Sequence, residues 1–111
     1  MNLSKGFSVK GNIERAFELA QSYLSGMKYQ TVNSSKPTFL VLKRGSRTGS
    51  TFSTKIDNVL TTLSISFSQK EENVNILCDY DAVVYGIVTS SDKSTLESEV
   101  EKLRAFLETA L

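Results

Sequence analysis

Two aspartates in the second half of the chain are the first candidates for chemistry. Asp79 and Asp81 lie two residues apart in an alternating segment. On a strand their side chains share one face, with the Cα atoms about 7 Å apart. Two carboxyl groups can divide the roles of general acid and general base if their environments differ. The alternation equally fits solvated aspartates on the polar face of a strand. An enzyme using Asp79 or Asp81, with Tyr85 or Arg44 in the same cleft, is therefore the least favoured of three hypotheses.

A basic segment punctuated by glycines is the second candidate, because its backbone N–H groups could cradle an anion. Lys43, Arg44 and Arg47 cluster around Gly45–Thr51, the longest loop that the sequence indicates. The segment is not a Walker loop, since it lacks the Gly-Lys-Ser/Thr sequence and its spacing. Solvated loop charges are the simpler account. We expect this loop to be mobile, because it carries two glycines and no large apolar residue.

The available nucleophiles argue against a conventional hydrolase. The chain has no histidine, which is the commonest general base and the commonest metal ligand. Its one cysteine, Cys78, falls on the apolar face of a predicted strand and has no intrachain disulfide partner. Hydroxyl groups alternate along another predicted strand but lack a histidine to complete a triad: Thr62, Ser64, Ser66 and Ser68. The sequence therefore predicts no metal site and no cofactor.

Aromatic side chains provide the third candidate, a ligand pocket at the rim of the core. Aromatic residues in strands more often belong to the core than to a ligand pocket, and this holds for Tyr80 as well. Stacking on nucleic acid is not predicted, because 13 Lys and Arg residues against 12 Asp and Glu residues give no basic groove. The predicted ligand-binding residues are Phe39, Arg44, Arg47, Phe52 and Tyr85.

The elements that position these residues begin with a strand and an amphipathic helix. Gly6–Gly11 alternates apolar and polar residues and predicts a short strand. Asn12 is a good N-cap, because its side-chain oxygen accepts a free backbone N–H of the first turn. Apolar residues then recur at helical spacing and predict a helix over Asn12–Ser25. Gly26 is the predicted stop, in a left-handed conformation.

Four strands are predicted next. Tyr29–Asn33 has the weaker pattern, and Thr38–Arg44 is apolar on both faces, which favours cover on each side or a nearby partner. Val59–Ser68 and Val74–Asp81 each alternate between an apolar and a polar face, and the charged turn 69–73 joins them. Two such strands joined by a short turn pair antiparallel, with one face wetter than the other.

The C-terminal helix has the clearest pattern in the chain. It is predicted to begin at the capping box Ser94–Glu97, or one turn earlier at Ser91. Such a helix is only marginally stable alone, so its apolar stripe must dock on the sheet. We expect a largely filled core between sheet and helix, with Val59, Leu63, Ile65, Phe67, Val74, Ile76 and Tyr80 facing Leu96, Val100, Leu103 and Leu107.

The predicted order β-α-β-β-β-β-α, an α+β class with a five-stranded antiparallel sheet and two helices, resembles known folds. Three local features accompany this order: Lys43-Arg44-Gly45-Ser46, Asp79-Tyr80-Asp81 before Gly86, and the helix opening SDKSTLESEV. With them, the order of elements resembles that of small uncharacterised helix-grip domains. These are START and pollen-allergen-like and are related to the half-repeat of the TATA-box-binding-protein fold. Helix-grip relatives include lipid carriers, cyclases and proteins without known activity. The resemblance implies a binding module and transfers no ligand residue.

Length and composition bound the remaining choices. We predict a single domain over 1–111, since this is the common size for one core. No apolar run approaches the ~20 residues that span a bilayer, and the start lacks the apolar region of a signal peptide, so we expect a cytoplasmic protein without a membrane span.

The leading functional hypothesis is a non-enzymatic binding or interaction module, with a small apolar ligand as one candidate. The alternative is a structural subunit that docks a protein partner through its sheet face or through the strand Thr38–Arg44. The sequence leaves the oligomeric state open.

Overall fold

The computed structural model describes residues 2–45, 60–82 and 90–111, and the side chains of the last range from 93 onward. Both the predicted order of elements and the α+β class are confirmed. Four sequence-predicted positions fall outside the described residues: Arg47, Phe52, Val59 and Tyr85. So does most of the predicted mobile loop. The elements are β1 (Asn2–Lys10), α1 (Ile13–Ser25), β2 (Gln30–Ser35), β3 (Phe39–Arg44), β4 (Thr61–Lys70), β5 (Asn73–Ala82) and α2 (Ser90–Ala110).

The five strands form one antiparallel sheet in the order β1-β5-β4-β3-β2. Alternation along β4 and β5 follows the prediction, since buried residues alternate with exposed or half-buried ones in both strands. Both helices pack on the same side, which we call the inner face, and the opposite side is the outer face. Arg44, Thr61 and Ala82 are aligned in the register, so β3, β4 and β5 share one end there.

The core lies between the inner face and the two helices. The apolar stripe of α2 is buried as predicted, because Leu96, Val100, Leu103 and Leu107 are each no more than 2% exposed. Helix α1 contributes Ala16, Phe17, Ala20 and Leu24 to the same cluster. On the sheet side the predicted inward residues are all buried where the structure describes them: Leu63, Ile65, Phe67, Val74, Ile76 and Tyr80.

The ends of α1 confirm one prediction and correct another. Asn12 caps the helix, since its Oδ1 accepts the backbone N–H of Glu14 at 2.9 Å. Gly26 does not take the predicted left-handed conformation: its φ is −69°, and its N–H still bonds to the carbonyl of Ser22. Because the right-handed turn continues past the glycine, the left-handed residue comes later, at Lys28 with φ 72°.

The starts of α2 and β1 and the cover of β3 also differ from the predictions. Helix α2 begins at Ser90, so the predicted capping box at Ser94 lies inside the helix. The first residues of α2 are all polar and give no apolar periodicity to mark the start. Strand β1 begins at Asn2 because its pairing with β5 continues beyond the alternating stretch. Strand β3 is covered on one face only, since Phe39 on the other face is 37% exposed.

Candidate functional site

A buried ion pair lies on the inner face where β3 ends. Arg44 donates from Nη1 to Glu99 Oε1 at 3.0 Å and from Nη2 to Glu99 Oε2 at 2.8 Å, a bidentate arrangement. The two residues are only 5% and 7% exposed. Burial acts to lower the pKa of Arg44, but the hydrogen-bonded Glu99 carboxylate outweighs it and the pKa is raised. The guanidinium therefore stays charged inside the fold.

Two tyrosines complete this group, which we call the Arg44 cluster: Tyr29, Arg44, Tyr80 and Glu99. The guanidinium carbon of Arg44 lies 4.2 Å from the centroid of the Tyr29 ring, a cation–π contact. Tyr29 also donates its hydroxyl to Glu99 Oε1 at 3.2 Å. Burial, followed by the charge of Glu99, raises the pKa of Tyr29 above its usual range. Burial also raises the pKa of Tyr80, and Tyr29 and Glu99 add to the effect.

The secondary structure explains why these side chains meet. Arg44 ends β3 at an inward position, two residues after the buried Leu42. Glu99 lies on α2 four residues before Leu103, so it shares the helix face that docks on the sheet. Tyr29 stands just before β2, where its backbone N–H bonds to the Leu24 carbonyl at 3.2 Å. Tyr80 comes from an inward position of β5, so two strands, one helix and the segment before β2 converge on one polar group at the margin of the apolar core.

Burial of an ion pair is weak support for a purely stabilising role. Removing two charges from water costs several kcal/mol per ion, which mutual attraction offsets only with very good geometry. Apolar side chains of similar volume often serve stability as well or better. The polarity of the Arg44 cluster therefore calls for a reason beyond packing.

An open pocket of about 550 Å³ adjoins the cluster. Arg44 and Glu99 form part of its wall, and Lys102 adds a further positive charge. Formal charges of +1, −1 and +1 leave the described lining with a net +1. The other lining residues are Met27, Ser94, Thr95 and Ser98.

Arg44 retains one donor that the cluster does not satisfy. Its Nε atom is buried, and no described residue accepts a hydrogen bond from it. A buried donor without an acceptor costs about 1–3 kcal/mol.

The structure does not bring together the two described members of the predicted ligand-binding set. Arg44 lies on the inner face, whereas Phe39 lies at the other end of β3 on the outer face. The remaining predicted members, Arg47, Phe52 and Tyr85, lie outside the described residues. The pocket beside Arg44 and the pocket of about 540 Å³ on the outer face both lack Phe39.

The position of the aspartate pair corrects the catalytic hypothesis. Asp79 and Asp81 lie on the outer face of β5, and Ser4 of β1 donates its hydroxyl to Asp79. Arg44 is on the inner face, so the sheet separates it from both carboxylates. The predicted cleft that combines an aspartate with Arg44 is therefore wrong. The alternative with Tyr85 falls outside the described residues.

Sequence reasoning missed Glu99, Tyr29 and Lys102. A signal for Glu99 was available, because it follows Leu96 by three residues and precedes Leu103 by four, both on the docking stripe. A charged residue at an inward helix position and another at the inward end of a strand together indicate a buried pair. Nothing in the sequence comparably marks Lys102.

Stability should decline at alkaline pH because three buried groups hold their protons more tightly than in the unfolded chain. Burial, followed by the charge of Asp79, raises the pKa of Cys78 to about 12, and the pKa values of Tyr29 and Tyr80 are raised as described above. In the unfolded chain these groups ionise at about 8.5 for cysteine and about 10 for tyrosine. Above those values the unfolded state binds fewer protons, so the free energy of unfolding falls as pH rises. Urea melts should show a constant midpoint up to about pH 8 and a falling one above it.

Cys78→Ala supplies the control for this pH dependence. It should remove the part of the decline that begins near the ordinary cysteine pKa and leave the tyrosine part unchanged. A midpoint that stays level to about pH 11 would contradict the raised pKa values.

Comparisons with known proteins give a fold and no family. No protein-family model matches the chain. No curated protein matches it either. Within the described residues, no helix is both long and apolar enough to cross a membrane.

Solved structures are similar along nearly the whole chain. The Aha1 dimer from Colwellia psychrerythraea has a TM-score of 0.70 at 8% identity, covering 100% of this chain and 96% of that one. A conserved protein from Geobacillus kaustophilus has a TM-score of 0.61 at 14% identity, covering 96% of this chain and 89% of that one. At such low identity the likeness concerns the fold alone. The chain has a small α+β helix-grip-like fold.

Proposed function

We propose that the chain is a non-enzymatic binding module that holds a small ligand with an acidic head group in the pocket beside the Arg44 cluster. The carrying observation is an open pocket whose wall holds the Arg44–Glu99 pair and Lys102, so that its described lining has a net positive charge. A carboxylate or phosphate oxygen is the acceptor that an arginine donor pairs with most strongly.

The charge and chemistry of the lining support an acidic ligand. Glu99 neutralises Arg44, so Lys102 leaves the described lining with a net positive charge. Three neighbouring hydroxyl side chains can donate to the same head group: Ser94, Thr95 and Ser98. Met27 is the one apolar side chain among the described lining residues. The lining thus favours a polar head over the wholly apolar ligand that the sequence suggested, while Met27 can contact an apolar tail.

The ionisation of the described side chains supports binding over catalysis. The raised pKa values of Cys78, Tyr29 and Tyr80 keep these groups protonated near neutral pH, so none of them is a ready nucleophile or base there. Asp79 and Asp81 face away from the pocket. Ligand carriage is also what the sequence resemblance implies for some helix-grip relatives.

A titration followed by two-dimensional ¹H–¹⁵N NMR tests the proposal. Octanoate supplies a carboxylate head, octanol supplies the same tail without the charge, and inorganic phosphate supplies a head alone. Octanoate should shift the amide signals of Met27, Ser98 and Lys102, and octanol should shift them less. Lys102→Gln should weaken octanoate binding by about tenfold, the loss expected from one charge-assisted hydrogen bond of ~1.5 kcal/mol.

Lys43→Gln is the matched control, because Lys43 neighbours Arg44 in sequence but lies on the outer face. It should leave octanoate affinity unchanged. Equal responses to octanoate and octanol, or equal losses in both lysine variants, would show that the acidic head is not recognised at this pocket.

A further inference from the structure

The ligand pocket has one positive charge that no described neighbour neutralises. Both oxygens of the Glu99 carboxylate accept hydrogen bonds from the Arg44 guanidinium, at 3.0 and 2.8 Å. This buried pair therefore gives the wall hydrogen-bonding polarity and no net charge. Lys102 is the other charged residue of the described lining. It is exposed and takes part in no ion pair within the described part of the chain.

Among the described residues, the cations around the pocket supply no second charge to its lining. Lys5 contacts Glu101 at 3.3 Å, and Arg104 contacts Glu108 at 2.9 Å. Neither cation lines the pocket. Two further lysines neighbour lining residues in the sequence without lining the pocket themselves: Lys28 and Lys93. The described lining therefore has the net charge of a single ammonium group.

Two hydroxyl groups of the lining follow the same side of α2 as Lys102. Ser94, Ser98 and Lys102 succeed one another at intervals of four residues. Residues four apart are neighbours on a helix surface, with Cβ atoms about 5–6 Å apart. A head group at Lys102 therefore has the Ser98 hydroxyl within reach, and a hydroxyl can donate to a ligand oxygen without adding charge. The site combines one cation with neutral hydrogen-bond donors.

We infer that the pocket selects ligands whose head group carries a single negative charge. The ligand class is then the monocarboxylates, in preference to phosphate monoesters and dicarboxylates, which carry two negative charges near neutral pH. This inference rests on the proposed function and narrows it from acidic ligands in general to one class.

The preference follows from the way in which attraction and desolvation scale with charge. The attraction between the lining and a head group grows in proportion to the charge of the head group, whereas the cost of removing that charge from water grows with its square. One ammonium group balances a single carboxylate. A second negative charge would meet no further unpaired cation in the described lining and would share the pocket with the Glu99 carboxylate. A dianion should therefore bind more weakly than a monoanion with the same tail.

Octyl phosphate tests the inference, because its charge changes with pH while its tail matches that of octanoate. It is mostly a monoanion at about pH 5.5 and mostly a dianion at about pH 7.5, since the second pKa of a phosphate monoester is about 6. Octanoate is a monoanion at both pH values. The chain has no histidine, so no side chain with an ordinary pKa titrates in this range. NMR titration of the full chain should show octyl phosphate binding at least about tenfold more weakly at the higher pH, with octanoate changing by less than about threefold.

A second cation in the lining should reverse this preference. Ser94→Lys places one on the same line of α2 as Lys102, and Ser94→Gln provides a long polar side chain without the charge. Ser94 is exposed, so both variants should keep the fold by circular dichroism. At about pH 7.5, Ser94→Lys should bind octyl phosphate at least about tenfold more tightly than Ser94→Gln does, and the two variants should differ by a smaller factor for octanoate.

The possible results separate this inference from the proposed function. Octanoate binding that depends on Lys102, together with octyl phosphate binding as tightly at about pH 7.5 as at about pH 5.5, overturns the inference and leaves the proposed function in place. Equal affinities of Ser94→Lys and Ser94→Gln for the dianion also contradict the inference. If neither acid shifts the amide signals of the lining residues more than octanol does, the proposed function fails and the inference falls with it.

Discussion

Glu99→Leu should lower the free energy of unfolding by about 3–5 kcal/mol, the cost of leaving a buried charge without its partner. The substitution removes both hydrogen-bond acceptors of the Arg44 guanidinium and also the acceptor of the Tyr29 hydroxyl. Tyr29 still covers one side of the guanidinium, but a ring face replaces only a small part of a buried carboxylate's interaction. Urea melts followed by circular dichroism measure the loss.

Two variants sharpen this measurement. Glu101→Leu removes an exposed carboxylate from the same helix, where it contacts Lys5 and Arg104, and should cost no more than about 1 kcal/mol. Arg44→Met combined with Glu99→Leu replaces the whole pair by apolar groups and should recover most of the loss. A Glu99→Leu protein as stable as the Glu101→Leu protein would show that the pair is not buried in solution.

Leu103→Ala should cost about 2–5 kcal/mol, the range for truncating a buried leucine. Leu103 is 2% exposed in the apolar stripe with which α2 packs on the inner face. The loss combines the transfer of the removed carbon atoms with the cavity that the neighbouring side chains cannot fill. Urea melts of the same kind as above report it.

Val32→Ala is the control for apolar truncation, because Val32 is 52% exposed on β2. It should change stability by no more than about 0.5 kcal/mol. If Leu103→Ala proved equally mild, α2 would be peripheral to the core, contrary to the helix-grip-like packing.

The elements that the sequence predicted well are those with a strict period. Apolar residues occupy every second position from Leu63 to Phe67 in β4 and from Val74 to Ala82 in β5. Only one register buries that whole set, so the two-sided sheet follows directly. The apolar stripe of α2 is equally regular, at helical spacing. The ends of the elements were harder to predict where the local sequence allows more than one end point. Gly26 is able to end a helix but does not have to, and the polar start of α2 carries no periodic signal.

The candidate site was predictable only in part. Arg44 was singled out, but as a loop charge, although its even spacing from Leu40 and Leu42 already placed it on the same face of the strand as those two residues. The same parity places Phe39 on the opposite face, so the two residues could have been separated from sequence alone. The pairing of Arg44 with Glu99 joins residues 55 positions apart. This pairing depends on the position at which α2 docks along the sheet, which no local pattern determines.

The most direct test of the central claim, that the Arg44 cluster serves binding, is octanoate titration of the variant with Arg44→Met and Glu99→Leu together. The account predicts that the free energy of unfolding of this protein is within about 1 kcal/mol of the wild-type value, or above it. It also predicts that this protein binds octanoate at least about tenfold more weakly than the wild type, as judged from the amide signals of Met27, Ser98 and Lys102. A folded double variant that binds octanoate as tightly as the wild type would contradict the account.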